Sequence, residues 1–267
     1  MFSGIRNTEG SLWKKQRQFV HRQMIGTENW GPGQAESQIF YEVSHLLNYF
    51  ENKRSPVKDL SVLKHALSNV LFSITASKRF PYADSQFKRF LSVFDEQDRL
   101  MMNTGALCVI PMMRHFPRVK NTLMDFEKCL DEKDKFARAI IDDHKVTLDR
   151  KKPRDFVDSY LIMIEDIKAT GNLEEMFEGV DPEKQLARVL LDLTTAESLT
   201  SKLHWLLLFM LHHPDIQTRV QAELDSVVEP NRRPELKDMV NLPYTRATIW
   251  EVMRRCTRGS SAYSTNR

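Results

Sequence analysis

The feature that most constrains the fold of this chain is the apolar stretch from Pro182 to His213, PEKQLARVLLDLTTAESLTSKLHWLLLFMLHH. Its first residue is a proline, which is favoured in the first turn of a helix. Apolar side chains then recur at helical spacing and cover nearly every side of the predicted helix. Since a helix that is apolar all round is buried all round, we predict a long buried central helix in a large helical protein.

The rest of the chain repeats the helical spacing of apolar residues. Glycine is scarce, with 9 residues in 267, and alternating strand patterns with Asn-Gly or Asp-Gly turns are absent. We therefore predict a mainly α fold and a single, mostly helical domain. Local signals place helix starts at Asp59, at Asp84 or Ser85, at Pro214 and at Pro243, a helix end at Gly171, and an acidic loop before Pro182.

Composition limits the class of protein. Hydrophobic residues make up 41% of the chain and charged residues 28%, a balance typical of a soluble globular protein. The net charge is only +3, which does not favour a nucleic-acid partner. Three cysteines without paired spacing favour a reducing compartment. The longest apolar run, Leu203 to Leu211, is far shorter than the ~20 residues that span a bilayer, so we predict no membrane span in this chain.

Polar side chains interrupt the central helix in the sequence DLTTAESLTSKLHW. Polar groups in a buried helix are costly unless they have partners or a function. Hydroxyl groups can bond back to the carbonyls of the preceding turn, and this explanation covers threonine and serine but not Glu197. The polar residues in question are Thr194, Thr195, Glu197, Ser198 and Thr200.

Trp13 and Arg17 lie four residues apart on the first predicted helix, with Lys14 and Lys15 between them. A guanidinium group one turn from an indole suits an anionic ligand held against a flat apolar body. The alternative is an ordinary amphipathic helix with a basic face, to which Arg22 also belongs. Such a face could meet an acidic protein partner or simply be solvated.

Glu251 and Arg254 lie three residues apart on the last predicted helix. Taken alone, the pair is most simply an exposed ion pair on the surface. The same turn also carries Trp250, Val252 and Met253, so parts of this helix should be buried. A buried ion pair would need further partners to offset its desolvation.

Three features follow one another along the chain: the Trp13 and Arg17 pair, the polar interruption of the central helix, and the Glu251 and Arg254 pair. In this order they resemble a cytochrome P-450 of the animal microsomal type. The resemblance rests on WKKQRQF, NVLFSITASKRF, LHWLLLFMLHHPDIQTRVQAELD and NLPYTRATIWEVMRR, and it extends from about Gly4 to Thr257. It divides the chain into a partial family domain over residues 1–257, about helix C through helix K, and an unmatched polar tail over residues 258–267.

The resemblance assigns roles to individual residues. Trp13 and Arg17 look like the pair that holds a haem propionate. Glu251 and Arg254 look like the structural pair that braces the haem-side core. Two further sets carry expected roles: the proton-delivering stretch Ala196, Glu197 and Ser198, and the reductase-facing residues Lys14, Lys15 and Arg22.

The implied function is that of a haem-thiolate monooxygenase, which inserts one oxygen atom from dioxygen into an apolar small molecule. Its electrons come from NADPH through a cytochrome reductase, and the intact protein is expected at the cytosolic face of the endoplasmic reticulum membrane. The connector TGALCVIPMMRHF resembles the apolar segment over the substrate entrance, which in microsomal members also touches the membrane. The alternative is a non-catalytic helical protein that binds the reductase through its basic first helix.

Two departures from the family pattern bear on activity. The iron ligand of the family is a cysteine in a Phe-x-x-Gly-x-Arg-x-Cys-x-Gly loop, and none of Cys108, Cys129 and Cys256 has these neighbours. No metal ligand is therefore assigned, and this chain alone is expected to be inactive. The central helix also lacks two residues of the Ala-Gly-x-Glu-Thr-Thr pattern, and at about 100° per residue this turns one half by about 200° against the other.

Overall fold

A computed structural model of the chain describes residues 4–6, 8–25, 32–53, 60–104, 117–229 and 232–256. The predicted helix start at Asp59, the connector at 105–116 with Cys108, and the tail at 258–267 lie outside these residues. No β-strand occurs in the described ranges, so the predicted mainly α fold is confirmed. The helices are α1 (Gly10–Ile25), α2 (Pro32–Glu51), α3 (Ser61–Ala76), α4 (Ser85–Thr104), α5 (Pro117–Val146), α6 (Phe156–Thr170), α7 (Leu173–Phe177), α8 (Pro182–Thr194), α9 (Glu197–His212), α10 (Pro214–Val227), a 3-10 helix (Leu236–Asn241) and α11 (Pro243–Cys256).

Local signals set most helix ends as predicted. Asp84 precedes α4, and its Oδ1 accepts a hydrogen bond of 2.9 Å from the Phe87 amide. Gly171 ends α6 with φ +73°, a left-handed conformation that glycine adopts without a Cβ penalty. The prediction of a loop before Pro182 was wrong in part, because Leu173–Phe177 forms the short helix α7 there.

The structure separates into two compact units, each described by itself. The first comprises Met1–Asn52 and Lys64–Thr195, and the second comprises Lys53–Leu63 and Ala196–Arg267. In the first unit α4 packs along α5, and α5 also packs against α6 and α8. Its core is strongly aromatic: Phe80 stacks on Phe87 with 4.1 Å between ring centroids.

A buried carboxylate joins α2 to α3 and to the turn that follows α3. Glu42 lies on α2 with only 3% of its surface exposed. Its Oε2 accepts a hydrogen bond of 2.6 Å from Arg79 Nε, and its Oε1 accepts from Tyr82 Oη at 2.6 Å and from Asn69 Nδ2 at 3.0 Å. Burial and the bond to Glu42 raise the pKa of Tyr82. Three side chains that lie 27 to 40 residues after Glu42 are thereby fixed around its carboxylate.

The predicted unbroken central helix is interrupted. Its first part, α8, buries seven residues and ends at Thr194. Thr195 then has an extended backbone (φ −72°, ψ 110°), and α9 begins at Glu197. The stretch from Pro182 to His213 therefore forms two helices and not the single helix that its apolar periodicity predicted.

The second unit exposes much of its apolar surface, contrary to the prediction that the whole stretch from Pro182 to His213 is buried. Thr200 is the one buried residue of α9. The leucine-rich face of this helix is open to solvent, with Leu211 76% exposed. Apolar residues at helical spacing indicate a face that packs, and in the described residues this face is uncovered. Exposed leucines on α9 are Leu199, Leu207, Leu208 and Leu211.

None of the helices in the described part of the chain combines the length and the hydropathy that a bilayer crossing requires.

Candidate functional site

Helix α1 presents the first predicted site. Leu12, Gln16 and Val20 recur every four residues and are buried. Trp13 and Arg17 follow two of these positions by one residue and therefore lie on the exposed flank. The Arg17 guanidinium carbon stands 5.5 Å from the centre of the Trp13 ring. Arg17 forms no ion pair with a carboxylate of the described residues, so a stacked, uncompensated cation is available to an anionic group.

The basic face of α1 divides into two parts. Lys14 and Arg22 are exposed and make no ion pair within the described residues. Lys15 is half-buried, donates a hydrogen bond to the backbone carbonyl of Glu175, and lies 3.5 Å from Glu178 Oε1. It therefore holds α1 against the region of α7, whereas Lys14 and Arg22 remain accessible to a partner.

Gln16 is a site residue that sequence reasoning missed. It lies between Trp13 and Arg17 in the sequence, but its side chain is fully buried. Its Oε1 accepts a hydrogen bond of 2.5 Å from Tyr160 Oη of α6. Burial raises the pKa of Tyr160. The phenol thereby fixes the rotation of α1 and, with it, the side that Trp13 and Arg17 face. Its position four residues after Leu12 and four before Val20 was the available signal.

The short segment Gly4–Arg6 is anchored to α8. The Gln185 side chain accepts from the Gly4 amide at 2.9 Å and donates to the Gly4 carbonyl at 3.1 Å. Asp192 Oδ2 accepts from the amides of Ile5 at 2.7 Å and Arg6 at 3.1 Å. Gly4 has φ +90°, and a Cβ built there would lie 2.5 Å from Asp192 Oδ2, so glycine is required. The sequence contained no local signal for this anchor.

The predicted proton-delivering stretch lies at the start of α9. Ala196 is buried and is the residue that precedes the helix, Glu197 is half-buried in its first turn, and Ser198 is exposed. The alternative explanation for the neighbouring hydroxyls holds: Thr194, Thr195 and Thr200 each donate to the carbonyl four residues earlier, at 2.8 to 2.9 Å. This back-bonding accounts for the three threonine hydroxyl groups, and a carboxylate such as that of Glu197 cannot donate such a bond.

Glu251 and Arg254 form an exposed ion pair on α11. Arg254 donates to Glu251 through Nε at 2.7 Å and Nη2 at 2.6 Å, and Arg255, which the sequence analysis did not select, donates through Nε at 2.9 Å. The Glu251 side chain is 46% exposed, as expected for the simpler of the two interpretations of the sequence, an ion pair on the surface. Bonds from Arg254 and then from Arg255 lower the pKa of Glu251 to about 2.

This arrangement predicts an acid-shifted titration. The pKa of Glu251 is depressed in the folded chain, so its contribution to stability is complete above about 4.5, the ordinary value, and is lost as the pH falls towards 2. A carboxyl-detected NMR titration is expected to give a midpoint near pH 2, and Arg255→Gln should move this midpoint upwards. A native-chain midpoint near pH 4.5 would contradict the assigned geometry.

An open groove lies beside this ion pair. It has a volume of about 310 Å³ and is bounded by helices α9, α10 and α11 of the second unit. Its floor is apolar, with Glu251 and Arg255 at one edge, and the Arg255 guanidinium stands 5.7 Å from the centre of the Phe209 ring. The apolar lining residues are Phe209, Met210, Ile216, Ala247 and Val252.

The two described cysteines lie in surroundings that do not favour a thiolate. Cys129 is buried on α5, and burial raises the pKa of its thiol. Cys256 is the last residue of α11, and burial also raises its pKa. Neither environment lowers the pKa of the thiol, as the environment of a reactive thiolate would.

Comparison with known proteins gives consistent matches. A family model described as Cytochrome P450 matches residues 2–259. Cytochrome P450 18a1 of Drosophila melanogaster is 38% identical over 259 residues, which cover 94% of this chain and 48% of that protein. Cytochrome P450 2U1 and Cytochrome P450 2D6 of Homo sapiens are 32% and 34% identical, and each match covers 92% of this chain. The chain spans about half the length of these relatives, with 44% of the former and 48% of the latter covered.

Proposed function

This chain belongs to the cytochrome P450 family, and from that premise we propose that it is part of a haem-thiolate monooxygenase acting on an apolar small molecule. The observation that carries the proposal is the family match over residues 2–259. The haem, when bound, supplies the oxygen-activating chemistry, and a cytochrome reductase supplies electrons from NADPH. The whole protein is proposed to work at the cytosolic face of the endoplasmic reticulum membrane.

The described residues fit one end of a haem. Trp13 and Arg17 form an exposed, stacked pair with a cation that no carboxylate neutralises, which suits a propionate. The described residues do not provide a thiolate for the iron, because Cys129 is buried in a helix and Cys256 ends one. A thiolate ligand gives this family its electron push. We therefore propose that the chain by itself binds porphyrin carboxylates without catalysing oxidation.

Two further residue sets receive roles in this proposal. Glu197 stands half-buried in the first turn of α9 and is proposed to move a proton in the intact enzyme, with Ser198 beside it. Glu251 and Arg254 are proposed to brace a neighbouring part of the intact domain. The Glu251 carboxylate is exposed and accepts three hydrogen bonds from Arg254 and Arg255, and its oxygens can accept a further one.

The propionate assignment is tested with two ligands and two variants. Haem should bind the native chain with an affinity that Arg17→Leu lowers about tenfold or more, the typical value of a hydrogen bond to a charged group. Haem dimethyl ester, which lacks the two charges, should bind native chain and variant equally. The matched control is Lys14→Leu, which removes a neighbouring exposed cation. Equal haem affinity of native chain and Arg17→Leu would refute the assignment.

A second candidate is a non-catalytic chain that binds the reductase through α1. The observation in its favour is that Lys14 and Arg22 are exposed cations without partners in the described residues. Lys14→Glu with Arg22→Glu should then abolish most binding to an acidic reductase surface and reduce its salt dependence.

The control for this test changes the net charge equally elsewhere. Lys151 and Lys152 are exposed in the loop between α5 and α6, and their double substitution by Glu should leave reductase binding unchanged. Lys15→Glu is unsuitable as a test of docking, because it would also break the contact with Glu175 and Glu178. Loss of binding in both double variants would show only a general charge effect and count against docking through α1.

A further inference from the structure

A buried cluster of charges joins the end of α5 to the start of α6. His144 lies in the last turn of α5 and is 3% exposed, and Asp155 immediately precedes α6 and is fully buried. The Nδ1 atom of His144 is 2.7 Å from the Ile140 carbonyl oxygen, and Nε2 is 2.9 Å from Asp155 Oδ2. A carbonyl oxygen only accepts, so Nδ1 carries a proton. Nε2 must carry one too when Asp155 is ionised, which makes the ring an imidazolium.

The second carboxylate of the cluster is neutralised by an arginine. Asp158 is fully buried and accepts from Arg154 through Nε at 2.7 Å and Nη2 at 2.9 Å. The Asp158 amide in turn donates to Asp155 Oδ1 at 3.0 Å. Two carboxylates, one guanidinium and one imidazolium sum to zero charge. Loss of the His144 proton would leave a net buried negative charge, which is costly.

The charged groups around this cluster are already paired among themselves. On α5, Asp143 bonds Lys78, and Lys145 bonds Glu183 at the start of α8. In the loop, Arg150 bonds Glu165 and Asp166 of α6. The cluster of Arg154, Asp155, Asp158 and His144 is therefore left with His144 as its one group that titrates near neutrality.

We propose that His144, Asp155, Asp158 and Arg154 form a charge clasp, which holds the last turn of α5 on the start of α6 while His144 is protonated and loosens when it is deprotonated. Burial of the ring disfavours its charge. The hydrogen bond that His144 donates to Asp155, the negative charges of Asp155 and Asp158, and the bond to the Ile140 carbonyl together outweigh this effect, so the pKa of His144 is raised above 6.5. A group whose pKa is raised on folding contributes fully to the stability of the folded state when the pH is below the pKa of the group in the unfolded chain. The contribution of the clasp is therefore complete below about pH 6.5 and is lost as the pH rises through the folded value.

The exposed loop between the helices offers a direct assay by trypsin. The peptide bond after Arg154 joins it to the buried Asp155. The peptide bond after Lys151 lies in the exposed loop and serves as an internal reference. The ratio of cleavage at Arg154 to cleavage at Lys151, read by mass spectrometry, should rise between pH 6 and pH 9. The rise should be about tenfold for each unit by which the pKa of His144 is raised.

Two variants separate the clasp from a general loosening of the chain. In His144→Gln the cleavage ratio should be independent of pH, because the titrating group is gone. Asp155→Asn keeps a capping residue at the start of α6 but removes the charge, and NMR should show the pKa of His144 falling below that in the native chain. A pH-dependent ratio that persists in His144→Gln, or an unchanged His144 titration in Asp155→Asn, would overturn the proposal.

A metal ion is the remaining alternative for this cluster, and the same assay distinguishes it. The candidate ligand atoms of His144, Asp155 and Asp158 all lie within 4.8 Å of one another. Arg154 donates to both oxygens of Asp158 and already compensates the negative charge that would attract a cation. Added zinc should leave the cleavage ratio unchanged at pH 8. A zinc-dependent fall in the ratio that requires His144 would replace the clasp by a metal site.

Discussion

Glu42→Ala is expected to lower the free energy of unfolding of the first unit by about 3–5 kcal/mol, the range for removing one partner of a buried ion pair. The substitution would leave the Arg79 guanidinium facing a cavity, and Tyr82 and Asn69 would each lose the acceptor that Glu42 provides. Urea unfolding followed by far-UV circular dichroism measures the change. The expected result is a lower urea concentration at the midpoint of unfolding, with an unchanged slope of the unfolding free energy against urea concentration.

Two variants define what this loss means. Glu42→Gln keeps the shape and one acceptor oxygen but removes the charge, so its cost should lie between those of the native chain and Glu42→Ala. Glu51→Ala removes an exposed carboxylate from the end of the same helix and should change stability by less than about 0.5 kcal/mol. Equal effects of Glu42→Ala and Glu51→Ala would show that the buried network does not hold α2 in place.

Tyr160→Ala is expected to destabilise the first unit by a similar amount, about 3–5 kcal/mol, because a fully buried aromatic ring is removed. The ring makes an edge contact with Phe19 of α1 at 5.3 Å and packs near Phe177 of α7 at 6.5 Å. Its loss should therefore loosen α1 in particular. Hydrogen exchange of the α1 amides, compared with those of α4, measures this selectivity.

The hydroxyl group of Tyr160 can be tested separately from its ring. Tyr160→Phe leaves Gln16 Oε1 without its donor and should cost about 1–3 kcal/mol. A Gln16→Met substitution in the same background should recover part of this loss, since the unpaired amide is then replaced by an apolar side chain. If Tyr160→Phe were neutral, the bond between α1 and α6 would not be what orients Trp13 and Arg17.

What the sequence predicted well are features encoded within one helical turn. Asp84 caps α4, Gly171 ends α6, and Pro182, Pro214 and Pro243 each begin a helix. The short-range pair of Glu251 and Arg254 was also predicted, because residues three apart on a helix are neighbours. In each case the interacting groups are separated by few residues, so the pattern alone specifies the contact.

What the sequence could not predict depends on pairs that folding brings together. Gln16 and Tyr160 are 144 residues apart, and Gly4 and Gln185 are 181 apart. The role of Lys15 was likewise hidden, because its partner Glu178 follows it by more than a hundred residues. The interruption after Thr194 is a local event, yet apolar periodicity continues across it, so periodicity favoured one long helix.

The anchoring of Gly4–Arg6 on α8 has a consequence for the timing of biosynthesis. Asp192 emerges from the ribosome 187 residues after Ile5, and at 5–20 residues per second this interval is roughly 10 to 40 s. During that time the amides of the segment leading into α1 bond to water and not to Asp192, and closing so long a loop costs chain entropy before the contact compensates for it. The orientation of α1 is therefore expected to be among the last features of the first unit to form on the nascent chain.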